Sequence, residues 1–191
     1  MIRIFLTLFF LFCLGKGSFA QVSFRPQAGI NFAQLSYKSV HGALKGKSGF
    51  HFGADLQIGS PFFVQPGLNF YSTNIEISEF KEISVEELTV PVMLGFKLFS
   101  GKKSSTWGIR VFGGPEFAYV VNKKIDAVFT DIKKEDIENF QVAGLFGAGL
   151  DLSIFFVDIG YKIGLSDYIK TDKASTSVDY FYANAGLRIG F

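Results

Sequence analysis

The strongest constraint on this chain is a two-residue alternation of bulky apolar side chains with small or polar ones, which returns in segment after segment up to the C-terminus. The cleanest instance runs from Gly49 to Gly59: Phe50, Phe52, Ala54, Leu56 and Ile58 alternate with His51, Gly53, Asp55, Gln57 and Gly59. A strand points successive side chains to opposite faces, so the pattern writes one apolar and one polar face on an extended chain. A helix, with its period of about 3.6, would scatter the same residues around its circumference.

The same pattern recurs along the chain. Phe24 to Leu35 sets Phe24, Pro26, Ala28, Ile30 and Phe32 against Arg25, Gln27, Gly29 and Asn31. Phe63 to Thr73 opposes Val64, Pro66, Leu68 and Phe70 to Gln65, Gly67, Asn69 and Tyr71, and Leu88 to Leu98 opposes its aliphatic residues to Thr89, Pro91, Met93, Gly95 and Lys97. In Trp107 to Val120, Ile109, Val111, Phe117 and Tyr119 stand against Gly108, Arg110, Gly114 and Glu116; Phe140 to Leu152 is glycine-rich and its alternation weaker. Phe155 to Ser166 opposes Asp158, Gly160, Lys162 and Gly164 to Val157, Ile159, Tyr161 and Ile163, and the closing segment sets Phe181, Ala183, Ala185, Leu187, Ile189 and Phe191 against Tyr182, Asn184, Gly186, Arg188 and Gly190.

Connections between segments alternate short and long. Ser60-Pro61, Ser100 to Ser105 and the region of Ser153 are short, whereas Tyr37 to Ser48, Asn74 to Glu87, Val121 to Asn139 and Asp167 to Ser177 are long. Bacterial outer-membrane barrels have short periplasmic turns and long outer loops. A soluble barrel or sandwich would turn its apolar face inward, and the opposing face would then be outside. With bulky Phe, Leu and Ile on the apolar faces and many of the chain's 21 Gly on the polar ones, a soluble core would be under-filled. The expected fold is therefore all-β: an eight-stranded antiparallel up-and-down transmembrane barrel with lipid outside, located in the bacterial outer membrane.

Residues 1–20 read as a signal peptide, with a charged start, an apolar run from Ile4 to Leu14 and Ser18-Phe19-Ala20 before Gln21. Residues 21–191 form the barrel domain. The single cysteine, Cys13, falls inside the signal, and Leu11 and Phe12 before it do not suit lipidation. The mature part thus has no thiol for a disulfide or metal site. Mean hydropathy is positive, at +0.28, yet no later run supplies the about 18 apolar residues of a membrane helix. A formal net charge of +2 gives no electrostatic footprint for nucleic acid.

Running the strands up and down from a periplasmic N-terminus puts Arg25, Asp55, Lys97, Arg110, Asp151, Asp158 and Arg188 on inward faces, toward the periplasmic end. In a narrow lumen each must find a partner or retained water, so they are expected to form a mixed-charge plug, with Asp55 coupled to Arg25. Tyr71, Met93 and Tyr182 add bulk to a bore that about eight strands leave barely wide enough for side chains, which disfavours a diffusion pore. Pro26, Pro66, Pro91 and Pro115 fall within strands, where each removes a ladder donor, and bulges or strand ends are expected there.

Several segments resemble a known family. Leu88-Thr89-Val90-Pro91-Val92-Met93-Leu94 resembles the fourth strand of PorT-like outer-membrane β-barrels, Gly113-Gly114-Pro115 with Phe117 and Tyr119 is similar to the fifth, Tyr161 to Asp167 to the seventh, and Asn184 to Phe191 to the last. The resemblance covers the mature chain and implies the barrel fold. It implies an accessory role in type IX secretion only as an alternative to a structural or interaction role through the outer loops. It further implies that the outward Phe191 at the C-terminus helps the barrel-assembly machinery recognise the last strand.

No motif points to a cofactor, and none to catalysis. His41 lies in an outer loop and His51 in the lumen, which does not make a histidine metal site. His51, Asp55 and Ser72 or Thr73 share a side of the barrel, but their spacing favours packing over a nucleophile and base. Gly144-Leu145-Phe146-Gly147-Ala148-Gly149 lacks the dinucleotide spacing and a phosphate lysine. The mixed-charge stretch from Asn122 to Asp136 is the best candidate surface for a protein partner.

Overall fold

The computed structural model describes residues 21–37, 45–46, 48–78, 81–98, 107–126, 139–166, 169–171 and 174–190. The proposed signal, His41, the centre of the charged outer stretch and Phe191 lie outside the described residues. The strands are β1 (Val22–Tyr37), β2 (Lys45–Gly46), β3 (Ser48–Ile58), β4 (Phe62–Ser78), β5 (Lys81–Lys97), β6 (Trp107–Asp126), β7 (Phe140–Leu152), β8 (Phe155–Gly164), β9 (Ile169–Thr171), β10 (Ala174–Leu187) and β11 (Ile189–Gly190). Long strands pair antiparallel with their chain neighbours, and β1 pairs with β10 and β11, closing the sheet into an eight-stranded barrel with β11 continuing β10. Closure leaves no edge within the membrane, which is what lipid demands of a β structure.

The two faces separate as the alternation dictates. Phe50, Phe52, Leu68, Leu94 and Ile159 are each more than half exposed, whereas Arg25, Arg110, Thr89 and Glu116 are at 0%. This is the reverse of a soluble barrel and matches an apolar solvent outside. Trp107 and Tyr119, exposed at two levels of β6, are separated by roughly 40 Å of strand at about 3.3 Å per residue. With strands tilted by about 35–45° this becomes about 30 Å along the membrane normal, close to the height of an apolar band between aromatic girdles.

The lumen is filled by pairing bulk with glycine across neighbouring strands. The Phe63 ring covers Gly95, Phe112 covers Gly147, Phe156 covers Gly186 and Tyr182 covers Gly160, each occupying the space a Cβ would take. Met93 and Leu145 join Phe63, Phe112 and Tyr182 in one apolar cluster inside the barrel.

The prolines produce neither the bulges nor the strand ends expected of them. Pro26 pairs with Ala54 on β3, while the ladder to the last strands lapses between Gln27↔Gly186 and Phe24↔Ile189 and resumes in the same register. Pro66 pairs with Val92 on β5 and the gap falls toward β3; Pro91 pairs with Glu116 on β6 and the gap falls toward β4. Pro115 pairs with Gly144 on β7, with its gap toward β5. Each ring removes one donor from one side only, and the intact ladder on the other side holds the register. The register shifts lie elsewhere, between Glu76 and Ser78 and between Glu86 and Glu87.

Part of the expected outer loops is strand. The segment read as a loop from Asn74 to Glu87 is an extension of the β4–β5 hairpin, with Ile75 opposite Ile83 and Thr73 opposite Val85. β6 likewise continues to Asp126, and Lys45–Gly46 pairs with β4. In the β4–β5 extension Thr73, Ile75 and Ile77, and Ile83 and Val85, recur at every second position, a pattern that favours extended backbone.

Candidate functional site: the charged lumen

Strand alternation delivers the ionic side chains to the inside, and the stagger of the barrel decides which of them meet. Near the end with the short turns, Asp151 on β7 is the hub. Its Oδ1 accepts from Arg25 at 3.3 Å and from Arg110 Nε at 3.0 Å, and its Oδ2 lies 3.6 Å from Arg188 Nη1. Arg110 also donates to Asp158 on β8, and Arg25 to Gln57 Oε1 at 3.2 Å. The Arg25 guanidinium lies 3.7 Å from the centroid of Phe156, and Arg110 approaches the same ring at 5.3 Å. Arg188 is anchored at the rim by a hydrogen bond to the Ser153 carbonyl at 3.0 Å.

The seven lumen charges are all inward, but they are not one network. Arg25, Arg110, Asp151, Asp158 and Arg188 are joined. Asp55 is not joined to Arg25, although the two are register partners on β1 and β3. Its Oδ2 accepts from Gln65 at 2.8 Å and Gln27 at 3.1 Å, because the guanidinium extends across the bore to a carboxylate it can share with a second arginine. Lys97 is buried at the rim and makes no ion pair within 4 Å among the described residues.

A second ionic group, not singled out from sequence, lies further toward the long-loop end. Lys162 on β8 places its Nζ 2.6 Å from Glu116 on β6 and 3.9 Å from Glu87 on β5, with the Tyr71 and Tyr180 rings each 5.0 Å away. The inward parity of Glu116 and Lys162 was the available signal. Glu87 sat inside what read as a loop, so only the longer β5 reveals the triad.

His51 stacks on Tyr71 at 4.7 Å and meets Tyr182 edge-on at 6.0 Å. Neither ring nitrogen has a hydrogen-bond partner, so His51 does not engage Asp55, Ser72 or Thr73. Thr73 instead accepts from Asn31 at 2.8 Å. Among the described residues no three His, Cys, Asp or Glu side chains converge as a metal-binding group.

The architecture has known counterparts. The outer membrane protein beta-barrel domain family model matches residues 16–170. Among solved structures, OprG from Pseudomonas aeruginosa superposes with a TM-score of 0.57 at 10% identity, covering 90% of this chain and 96% of that one. Ail, the attachment invasion locus protein of Yersinia pestis, crystallised with the heparin analogue sucrose octasulfate, gives 0.50 at 15% identity over 89% and 99%. Identities this low speak for the fold alone. No curated protein matches in sequence. The family match and the lipid-facing apolar surface place the protein in the bacterial outer membrane, and the chain belongs to the outer membrane protein beta-barrel domain family.

Proposed function

We propose that this barrel is a closed scaffold that acts through the surface it presents outside the membrane, as a structural or interaction protein, and that it is neither a pore nor an enzyme. The observation that carries the reading is the filling of the bore: the apolar cluster of Phe63, Met93, Phe112, Leu145 and Tyr182 accompanies an arginine-aspartate layer and the Lys162 triad. An ion crossing such a lumen would have to break buried pairs, and breaking one costs about 3 to 5 kcal/mol. Strands β4, β5 and β6, which run on past the girdle residues, support a role for the outer surface. His51, without a hydrogen-bonded nucleophile or acid, gives catalysis no starting point.

Purified barrel in planar bilayers should show no steady conductance, and large stable channels would defeat the reading. The finer role, as an accessory of type IX secretion, is supported only by the likeness of β5, β6, β8 and the closing segment from Asn184 to PorT-like strands. Cross-linking in cells to components of that machinery would support it, and capture of unrelated surface partners alone would defeat it. Assembly through recognition of Phe191 belongs to the same proposal. Deleting Phe191 should lower the amount of heat-modifiable barrel in the membrane, and unchanged levels would remove that role.

A further inference from the structure

We propose that the lumen holds one monovalent metal cation against Asp55. Four observations converge on this site.

First, the amide donors around Asp55 are committed to its Oδ2 and to neighbouring amides, which fixes the orientation of the side chains there. Gln27 Oε1 accepts from Asn184 Nδ2, and Gln27 Nε2 donates to Asp55 Oδ2 and, at 3.0 Å, to Asn69 Oδ1. Gln65 Nε2 also donates to Asp55 Oδ2. What remains on this chain is acceptor: Asp55 Oδ1, Gln65 Oε1 and Asn184 Oδ1 are buried and have no hydrogen-bond partner.

Second, these three residues line the same cavity, together with Asn69, Glu116 and Asp158, and Asp55 and Gln65 are each only 1% exposed. Buried acceptors in native proteins are almost always satisfied, so three that share a space point to something held in it.

Third, the cavity measures about 20 Å³, which admits a single water-sized sphere. A polyatomic ligand does not fit. A divalent ion would draw on several carboxylates free of other cations, whereas Glu116 and Asp158 are already held by Lys162 and Arg110.

Fourth, among the described residues no arginine or lysine forms an ion pair with Asp55. Asp151 has Arg25, Arg110 and Arg188, Asp158 has Arg110, and Glu116 has Lys162. Asp55 has only amides within bonding reach. A water could donate to two of the orphaned oxygens but would bring no positive charge to a buried carboxylate that has no ion-paired partner, and such a charge is costly to bury. A hard monovalent ion satisfies the oxygens and the charge together, and carboxylate and carbonyl oxygens are the ligands such an ion prefers.

The test compares sodium, potassium and choline chlorides at equal ionic strength on the mature barrel in detergent, reading the unfolding midpoint from the heat-modifiable gel shift. A small cation should raise the midpoint by several degrees in a saturable way where choline does not, and Asp55→Asn should abolish the difference. Crystals of the unaltered barrel soaked in thallium(I) should give an anomalous peak within coordination distance of Asp55 Oδ1, Gln65 Oε1 and Asn184 Oδ1. This arm stays decisive if Asp55→Asn does not fold. An ordered water in place of the anomalous peak, or an ion dependence that survives in Asp55→Asn, would overturn the proposal.

Discussion

Arg25 and Asp55 face each other in register on β1 and β3, yet Arg25 spends its guanidinium on Asp151 of β7, the sixth strand around the closed barrel, at 3.3 Å. The adjacent carboxylate is left to two glutamines. In a barrel this narrow a long side chain reaches the far wall as readily as the next strand. The choice falls to Asp151 because that carboxylate collects three arginines and Asp55 collects none.

Coupling energies should follow the bonds and not the register. Asp151→Ala leaves Arg25, Arg110 and Arg188 without their shared acceptor, at a site where Arg25 and Arg110 are fully buried. Breaking a buried pair in this way costs about 3 to 5 kcal/mol. In double-mutant cycles measured by equilibrium unfolding in lipid vesicles, Arg25 and Asp151 should be strongly non-additive, while Arg25 and Asp55 add to within about 0.5 kcal/mol. The reverse pattern would mean that the guanidinium sits on Asp55 in the membrane.

The glycines of the lumen should behave as sockets. A Cβ on Gly160 would first meet the ring and hydroxyl of Tyr182. Gly160→Ala should therefore cost about 1 to 3 kcal/mol, the usual range for overpacking. The same change in a Tyr182→Leu background should cost distinctly less. Equal costs in both backgrounds, from the same unfolding assay, would show that Tyr182 is free to move aside.

How far the sequence reveals all this depends on which residues one asks about. The strands, their faces and the inward direction of Arg25, Asp55 and Arg110 follow from period-two alternation between two different solvents, and a one-residue slip would have put those charges in lipid. The partner of Arg25 does not follow, because Asp151 lies 126 positions away and their meeting depends on barrel stagger. Phe112 and Phe156 carry inward parity, but the sequence does not show how a small lumen makes room for a bulky ring until Gly147 and Gly186 are found beneath them. The β4–β5 extension hides behind Asn74, Glu76 and Glu82, polar residues that read as loop although Ile75, Ile83 and Val85 keep the strand period.

The proline gaps should be close to neutral in energy. Pro66 leaves the β3–β4 ladder open while its pairing with Val92 on β5 holds the register. Pro66→Val restores a donor worth about 0.5 to 1.5 kcal/mol and gives back unfolded-state entropy worth about 0.4 to 1 kcal/mol. The net change in vesicle unfolding should fall within about 1 kcal/mol, the difference of those two terms, with slower amide exchange along β3 beside the repaired gap. A loss well beyond that would mean that the ring itself shapes the wall.

The Lys162 triad offers the clearest separation of a buried pair from a wet one. Lys162 Nζ stands between Glu116, at 2.6 Å, and Glu87, at 3.9 Å, and the three side chains are 5%, 0% and 3% exposed. Lys162→Met keeps most of the volume and removes the cation that stands between two buried carboxylates, which then repel one another in a medium that screens them poorly. The expected cost is about 3 to 5 kcal/mol. Adding Glu116→Gln and Glu87→Gln should recover most of it, since a neutral group of the same shape avoids the desolvation penalty that the ions carried. The triple variant should thus be more stable than Lys162→Met alone, an order that no simple count of lost contacts would produce. Unfolding in lipid vesicles decides the matter: if Lys162→Met costs under about 1 kcal/mol, the value typical of a solvated pair, water reaches the carboxylates and the bore is not sealed at this level.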